Sequence, residues 1–412
     1  MKPASILVLA SIIVLAATAT VRADDAAGIA KRAALTTPAM RAQAFRSMDT
    51  AFPFHVIQRS GPVAELPRAE RKLEITYSYE GKAHTLDDLL TRSGTQGFLV
   101  VKDGKVIEER YFNGADETSK FTSWSVGKSF TSTLVGLAVA DGKIKGVDDS
   151  ITDYLPELKG SGYDDVPIKD ILEMSSGVKF TEEYTNAQSD VSIMWNATMV
   201  QQSQSIAEYA KSLGRAETPG TKFVYRSVDT AVLGMLVKRV TGEPLADMLS
   251  QRIWQPLGME HEATWLTDRS GPDGLEAAFC CINATLRDYA RFGLLFLHRG
   301  RSGDRQLVPE KWIEEATNPQ SRQVQYGHLF RGAPTGYGYQ WWLPVGGDEH
   351  PYTAEGVFFQ FVYVNPKYNL VIVKTSAFND FWSVPLEIEQ FIAFDAIGRT
   401  LEDSSGAAPK SL

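Results

Sequence analysis

The chain contains 412 residues, with 42 Lys and Arg against 50 Asp and Glu, for a formal net charge of −8. Its 43% of hydrophobic residues is ordinary for a globular protein and excludes a disordered chain, a collagen-like repeat and a small disulfide-stapled fold. Because bases do not outnumber acids, the chain lacks the excess of cations that holds phosphates, and we expect no nucleic-acid partner. The length suits two to three domains, or one large α/β body that carries an inserted region.

The N-terminus has the layout of a secretory signal peptide. Lys2 precedes an apolar and small-residue run over residues 6–19, and Val21-Arg22-Ala23 is typical of a cleavage site. The run is shorter than the roughly 20 apolar residues that span a bilayer, so an uncleaved anchor is the weaker alternative. We expect residues 1–23 to be removed, which gives a periplasmic or secreted protein with no stable membrane anchor. The mature chain would have a formal net charge of −10, because residues 1–23 contain two bases and no acid.

Residues 24–95 form a predicted N-terminal extension with short helical stretches, proline-bearing connections and no catalytic pattern. Clear secondary-structure patterns begin after it. Residues 98–101 and 106–112 have strand patterns on either side of Asp103-Gly104, which predicts an antiparallel hairpin. Apolar residues at helical spacing predict a helix from Ser125 to Asp141.

The remaining chain predicts helices first and strands again near the end. Residues 147–284 favour a mostly helical insertion, and 402–412 a flexible tail. We therefore predict an α/β (α+β) fold, in which residues 96–146 and 285–401 build one antiparallel sheet from both chain ends, flanked by the Ser125 helix and the final helix. The late elements are predicted at 286–298 and 309–317 (helices), 336–343, 357–364 and 370–375 (strands), and 385–401 (helix).

The two cysteines, Cys280 and Cys281, are adjacent. Neighbouring cysteines can close a strained disulfide ring, but two buried reduced side chains are the favoured interpretation. The six histidines show no metal-ligand spacing, so we expect no metal site and no cofactor.

The sharpest candidate site is Ser125-Val126-Gly127-Lys128 at the start of the predicted helix. Residues i and i+3 share a helix face, so the Lys128 amine can reach the Ser125 hydroxyl and remove its proton if burial lowers the amine's pKa. A helix N-terminus also favours negative charge on an attacked carbonyl oxygen. The alternative is a capping serine with a solvated lysine. A second match, Ser176 to Lys179, lies on a Ser-Gly turn, where the two side chains need not share a face.

Tyr225 is a candidate proton shuttle. It precedes a predicted helix over 228–240, and a tyrosine beside lysines can pass a proton between nucleophile and leaving group. A core aromatic residue at a helix start is the alternative. Tyr184, in the polar loop Tyr184-Thr185-Asn186, competes for this role or lines a substrate pocket.

These motifs resemble those of the serine β-lactamase and penicillin-recognising family, within its esterase and amidase branch that includes nylon-oligomer hydrolases. The Ser125 and Tyr225 blocks and Ala354-Glu355-Gly356 occur in the family's order, and the resemblance covers roughly residues 95–395. It implies Ser125 as the acylated nucleophile, Lys128 as its base partner and Tyr225 as the proton shuttle. It also implies an oxyanion hole made by the backbone N–H groups of Ser125 and Val357.

The same resemblance implies the substrate-binding residues. Ala354 stands where penicillin-recognising members carry Lys or His, which removes the anchor for a β-lactam or D-Ala carboxylate. Trp195 stands where the nylon-dimer enzyme carries an acid for the substrate amino group. An apolar wall that includes Phe358 and Phe359 would suit a neutral acyl chain. The implied set is Tyr184, Trp195, Ser227 (where many relatives carry Asn), Ala354, Glu355 and Gly356.

The sequence thus predicts an exported serine hydrolase that cleaves a small-molecule ester or amide. One alternative is a non-catalytic envelope or peptidoglycan-binding module on the same scaffold, and another is a β-lactamase or D-Ala peptidase. A Ser-His-Asp hydrolase with His350 or His261 has little support, because Ser123 replaces the first glycine of the Gly-x-Ser-x-Gly elbow.

Overall fold

The computed structural model describes residues 26–35, 37–329, 334–345 and 350–405. The predicted signal peptide lies outside this part of the chain. The strands are β1 (Phe54–Ile57), β2 (Thr76–Tyr79), β3 (Lys82–Thr85), β4 (Thr95–Lys102), β5 (Lys105–Tyr111), β6 (Phe121–Thr122), β7 (Ala263–Leu266), β8 (Ile282–Ala284), β9 (Arg301–Ser302), β10 (Arg305–Gln306), β11 (Gly336–Tyr337), β12 (Trp342–Leu343), β13 (Tyr352–Gly356), β14 (Gln360–Asn365) and β15 (Leu370–Ser376).

Helices account for most of the regular secondary structure between β6 and β11. The α-helices are α1 (residues 26–35), α2 (Arg41–Ala44), α3 (Leu86–Arg92), α4 (Gly127–Ala140), α5 (Ile151–Tyr154), α6 (Ile168–Leu172), α7 (Asp190–Met194), α8 (Ile206–Ser212), α9 (Ser227–Thr241), α10 (Leu245–Leu249), α11 (Leu286–Leu297), α12 (Glu310–Ala316) and α13 (Val384–Ser405). Shorter 3-10 turns are Pro38–Met40, Met48–Thr50, Trp124–Val126, Pro156–Leu158, Arg322–Val324 and Pro366–Tyr368, and π turns are Trp195–Val200 and Ser250–Trp254.

The main sheet has seven strands in the order β11-β12-β13-β14-β15-β4-β5, and every neighbouring pair is antiparallel. β15, near the end of the chain, pairs with β4, near its beginning, with Ile372 opposite Val100. This confirms the predicted sheet built from both chain ends.

The sheet is buried on both faces, which explains why its central strands are continuous apolar runs. In β4, Leu99 and Val101 pack into the larger core, whereas Phe98 and Val100 face a second core under α13. On the larger-core face, α11 makes most of the direct contact. A Cβ on Gly293 of α11 would lie 2.7 Å from a methyl carbon of Val371 in β15. The other predicted flanking helix, α4, packs most extensively against α9 and also contacts β13 of the sheet. It meets α11 where the rings of Phe130 and Phe292 stack 3.7 Å apart.

The region predicted as a helical insertion also contains strands. β7 and β8 pair with each other, and they join β1 and β6 in a second sheet of order β1-β7-β8-β6. Sequence patterns missed these strands because they are only three or four residues long. β1 anchors the N-terminal extension to the body through this sheet.

Other differences concern where elements begin and end. The predicted strand 336–343 is two short strands, β11 and β12, and the predicted strand 357–364 begins at Gln360 because residues 357–359 form a turn. α13 extends to Ser405, past the predicted start of the tail at 402. Within the described ranges, no helix is long and apolar enough to cross a membrane.

Candidate active site

Ser125 lies in the 3-10 turn Trp124–Val126, directly before α4. Trp124 has a φ of 44°, in the left-handed region that non-glycine residues seldom adopt and that is often found at functional sites. A Cβ on Gly127 would lie 3.0 Å from the carbonyl carbon of Cys280, so a larger residue there would displace one of them. The turn therefore presents Ser125 at the positively polarised N-terminus of α4.

Lys128, in the first turn of α4, reaches the Ser125 hydroxyl. Its Nζ donates to Ser125 Oγ at 2.9 Å, to Ser227 Oγ at 3.1 Å and to the Phe279 carbonyl oxygen at 2.8 Å. The side chain is 1% exposed. Burial lowers the pKa of Lys128 to about 7, and the carboxylate of Glu182 opposes that shift. A substantial fraction of the amines is thus neutral near pH 7 and able to accept a proton.

Tyr225 completes a triad of side chains with Ser125 and Lys128. Its phenol interacts with the Ser125 hydroxyl, and its ring centroid lies 5.0 Å from Lys128 Nζ. The ring stacks against Trp342 with centroids 5.5 Å apart. Burial raises the pKa of Tyr225 well above that of a free phenol. The structure thus brings together the three residues predicted to be catalytic.

Glu182 is a site residue that the sequence analysis missed. Its carboxylate accepts hydrogen bonds from Ser227 Oγ at 2.5 Å, from the Ser227 N–H at 2.9 Å and from the Tyr184 hydroxyl at 2.6 Å. It thereby links Tyr184 to Ser227, which also accepts from Lys128. Its neighbour Glu183 instead accepts from the exposed Asn186 at 3.2 Å. No sequence pattern distinguishes these two adjacent acids.

The C-terminal end of β13 lies against the nucleophile turn. A Cβ on Gly356 would be 2.7 Å from the Ser123 carbonyl oxygen and 3.0 Å from the Ser125 nitrogen. Only glycine allows this approach, and it brings the next residue, Val357, to the wall of the Ser125 cavity. The arrangement suits an oxyanion hole made by the N–H groups of Ser125 and Val357.

The turn after Val357 is held in a costly conformation. Phe358 and Phe359 have φ values of 65° and 68°, in the left-handed region where Gly and Asn are usual and a bulky residue is rare. The side chain of Gln360 compensates. Its Nε2 donates to the carbonyls of Val357 and Phe358, each at 3.2 Å, and of Ser376 at 2.7 Å. Gln360 therefore positions the backbone beside the proposed oxyanion hole.

A cavity of about 260 Å³ opens next to Ser125. Of the predicted substrate-binding residues, Tyr184, Trp195 and Ser227 line it. Its lining is Arg41, Phe45, Trp124, Ser125, Tyr184, Val191, Ser192, Met194, Trp195, Ser227, Phe279, Cys280, Val357, Phe358 and Phe381.

Other predicted wall residues lie elsewhere. Phe359 stacks on Trp382, with ring centroids 5.0 Å apart, on the α13 side of the sheet. Glu355 is buried beside Glu387 of α13, and burial together with this second acid raises the pKa of Glu355 well above its usual range. Strand alternation explains the placement of Glu355, because Gly356 faces the nucleophile turn and its neighbour Glu355 points to the opposite face. Ala354 is buried in the larger core.

Cys280 and Cys281 form a disulfide, so the expectation of two reduced side chains is wrong. Cys281 has a φ of 72°, and this left-handed backbone accompanies a bond between adjacent residues. The second Ser-x-x-Lys match does not assemble, because Ser176 donates to Asp229 at 2.8 Å while Lys179 is exposed. Neither candidate histidine lines the cavity in the part of the chain that the structure describes.

Among the described side chains, no group of three or more His, Cys, Asp or Glu is arranged to hold a metal ion. The site's polar groups are instead those of an acyl-transfer centre, with a nucleophile, an amine, a phenol and backbone donors.

A Ser-x-x-Lys helix start facing a tyrosine, beside an antiparallel sheet, is the arrangement of active-site serine enzymes of the β-lactamase and penicillin-binding class. The beta-lactamase family model matches residues 83–384. The chain belongs to the beta-lactamase family, whose members include serine hydrolases acting as amidases, esterases and β-lactamases.

Similar proteins include the 6-aminohexanoate-dimer hydrolase of Paenarthrobacter ureafaciens, which is 30% identical over 302 residues, or 72% of this chain and 76% of the relative. A solved structure from Bacillus anthracis, provisionally named a 6-aminohexanoate-dimer hydrolase, matches with a TM-score of 0.79 and 25% identity, over 88% of this chain and 95% of that one. A class C beta-lactamase matches in fold, with a TM-score of 0.54 and 17% identity over 79% and 95% of the two chains. These comparisons confirm the resemblance inferred from the motifs.

Proposed function

We propose that the protein is an exported serine hydrolase that cleaves a small ester or amide through an acyl-enzyme on Ser125. The observation that carries the proposal is the 2.9 Å hydrogen bond from Lys128 Nζ to Ser125 Oγ in a fully buried setting. A nucleophile within reach of a base that is neutral near pH 7 is the geometry of covalent catalysis. Export is supported by the signal-peptide pattern of residues 1–23.

In the first step, Ser125 Oγ attacks the substrate carbonyl carbon and passes its proton to neutral Lys128. The oxygen of the tetrahedral intermediate becomes negative and accepts hydrogen bonds from the N–H groups of Ser125 and Val357. Tyr225 protonates the leaving oxygen or nitrogen and recovers a proton from the Lys128 ammonium. Water then attacks the acyl-enzyme, and its proton returns through the same groups to Ser125.

Lys128, rather than ionised Tyr225, is the better candidate for the base of the free enzyme. Burial lowers the pKa of Lys128 to about 7, and it raises the pKa of Tyr225 far above neutrality. Near pH 7 and above, the neutral amine is thus the group that accepts a proton, and the phenol is a proton donor.

The cavity favours a neutral substrate. Ala354 offers no cation for a β-lactam or D-Ala carboxylate, which argues against the β-lactamase and peptidase alternatives. The described lining contains no Asp or Glu, and the Glu182 carboxylate behind it is already engaged by Tyr184 and Ser227. An amino-terminated nylon dimer would therefore place its ammonium in a largely apolar cavity without a direct carboxylate partner. The substrate that gives the relative its name is therefore a poor expectation here, although a related ester or amide chemistry fits.

The test is hydrolysis of a matched panel by the chain from Asp24 onward: a short p-nitrophenyl ester, a linear ω-amino-acid amide dimer and a chromogenic cephalosporin. We expect turnover of the ester or amide and none with Ser125→Ala. The ratio of ester to amide turnover assigns the leaving group. No turnover of any compound, together with no covalent adduct, would instead favour the binding-module alternative.

A further inference from the structure

Part of the cavity wall beside Ser125 comes from a segment that the family match, residues 83–384, does not include. This segment, residues 37–57, is called here the N-terminal strap. It supplies Arg41 and Phe45 to the cavity lining. It is fixed at two points: Thr122, just before the nucleophile turn, donates from its N–H to the Phe45 carbonyl oxygen at 2.8 Å, and β1 pairs along its length with β7.

The strap completes a box of aromatic rings. Phe45 lies 5.1 Å from Trp124 and 5.0 Å from Phe358, measured between ring centroids. Trp124 lies 5.7 Å from Trp195 and 5.4 Å from Phe358, and Phe358 lies 4.8 Å from Phe381. Trp124 directly precedes Ser125, and Phe358 directly follows Val357, whose N–H belongs to the proposed oxyanion hole. The rings therefore lie on one side of the place where a substrate carbonyl would bind. Such a surface binds apolar groups by contact area and shape.

Arg41, the charged residue of this lining, is already occupied. One of its terminal nitrogens donates to the Phe378 carbonyl oxygen at 2.6 Å and also to the Asn379 carbonyl oxygen. The guanidinium carbon lies 4.4 Å from the centroid of the Phe358 ring, and the side chain belongs to a residue that is 8% exposed. Arg41 therefore links the N-terminal strap to the loop that carries Phe381, and it stacks on the Phe358 ring. These contacts give Arg41 a structural role.

We propose that this aromatic box is the acyl-binding site and takes an uncharged, bulky apolar acyl group, with Phe45 of the N-terminal strap setting its far end. A cavity of about 150 Å³ holds a benzene ring, so the 260 Å³ observed here has room for a ring with a short linker or a branched chain of similar volume. The proposal rests on the proposed hydrolase function, and it assigns a specificity role to residues outside the family-matched region.

The test compares acyl selectivity in variants that change the box size in opposite directions. The substrates are p-nitrophenyl esters of acetate, butyrate, hexanoate, octanoate and benzoate, which share one leaving group. Phe45→Ala enlarges the box and is expected to move the optimum of kcat/KM to a longer acyl chain, whereas Phe45→Trp is expected to move it to a shorter one. We expect the hexanoate-to-acetate ratio to differ between these two variants by about tenfold or more, which is the effect of two methylene-sized contacts.

Phe54→Ala is the matched control, because Phe54 lies on the same segment but is 40% exposed and outside the cavity. Its acyl profile should equal that of the parent. Thermal unfolding confirms that each variant folds, and Phe45→Leu replaces Phe45→Ala if the latter does not. An unchanged acyl optimum in folded Phe45 variants, or a shift confined to a series that varies the alcohol, would overturn the acyl assignment.

The role of Arg41 is tested with two esters of equal length, p-nitrophenyl valerate and p-nitrophenyl glutarate, which differ in a terminal carboxylate. If Arg41 has this structural role, we expect kcat/KM to be at least tenfold higher for the neutral ester. Preference for the charged ester, abolished by Arg41→Met, would make Arg41 a carboxylate anchor and overturn the proposal. Absence of all turnover by the parent would overturn both this proposal and the hydrolase function, whereas turnover with an unchanged acyl profile would overturn this proposal alone.

Discussion

Replacing Glu182 by Gln should move the acidic limb of the pH–rate profile to lower pH. Glu182 reaches Lys128 through Ser227 Oγ, and the two hydrogen bonds, 3.1 and 2.5 Å long, place the charged groups within about 6 Å of each other. At that separation and an effective dielectric constant of about 20, opposite charges attract by about 3 kcal/mol, or about two pK units. Glutamine keeps the shape and an acceptor oxygen but removes this charge.

The sign follows from the chemistry of the base. The carboxylate stabilises the Lys128 ammonium and so raises a pKa that burial lowers to about 7. Without this carboxylate, protonation of Lys128 requires a lower pH. The midpoint of the acidic limb in the pH profile of kcat/KM should therefore move down by at least one pH unit. The maximal rate should also fall, because the ammonium formed during acylation loses its counter-charge.

The assay is the pH dependence of kcat/KM for a p-nitrophenyl ester between pH 4 and 9, corrected for spontaneous hydrolysis. Glu183→Gln is the matched control, since it removes an adjacent charge that has no contact with Lys128, and its limb should stay within a few tenths of a unit of the parent. An unmoved limb in a folded Glu182→Gln protein would refute the coupling between Glu182 and the base.

Three further substitutions have direct geometric expectations. Gly356→Ala should lower kcat by about tenfold to a hundredfold, because the new Cβ would lie 3.0 Å from the Ser125 nitrogen; initial rates at saturating ester measure this. Gln360→Leu removes the hydrogen bond to the Val357 carbonyl, and steady-state kinetics should show kcat reduced by about tenfold with KM little changed. Gly293→Ala should destabilise the fold by about 1–3 kcal/mol, measured by urea unfolding, because its Cβ would lie 2.7 Å from a methyl carbon of Val371.

Local patterns sufficed for the central strands of the main sheet and for the nucleophile. The β4–β5 hairpin has a turn signal between two apolar runs, and its predicted turn, Asp103-Gly104, is where the structure places it. Ser125 and Lys128 are three residues apart on one helix, so their contact follows from helical geometry alone. Tyr225 is 100 residues away, and only the family order of motifs placed it beside them.

The remainder of the site depends on long-range packing that no local pattern encodes. Phe45 and Arg41 belong to a segment without a catalytic signature, and they reach the cavity because β1 pairs with β7 over 200 residues later. Glu182 differs from Glu183 only in the direction its side chain takes from an irregular loop. The Phe358–Phe359 turn contradicts the usual preference for glycine and is sustained by Gln360 from the next strand.

The central claim is that the reaction passes through an ester on Ser125. The direct measurement is peptide mass spectrometry of the acid-quenched protein after brief reaction with a p-nitrophenyl ester, on the parent, on Ser125→Ala and on Tyr225→Phe, in which loss of the phenol should slow deacylation. We predict the acyl mass on the peptide that contains Ser125, more of it in Tyr225→Phe, and none in Ser125→Ala. An acyl group on another residue, or undiminished hydrolysis by Ser125→Ala, would contradict the mechanism.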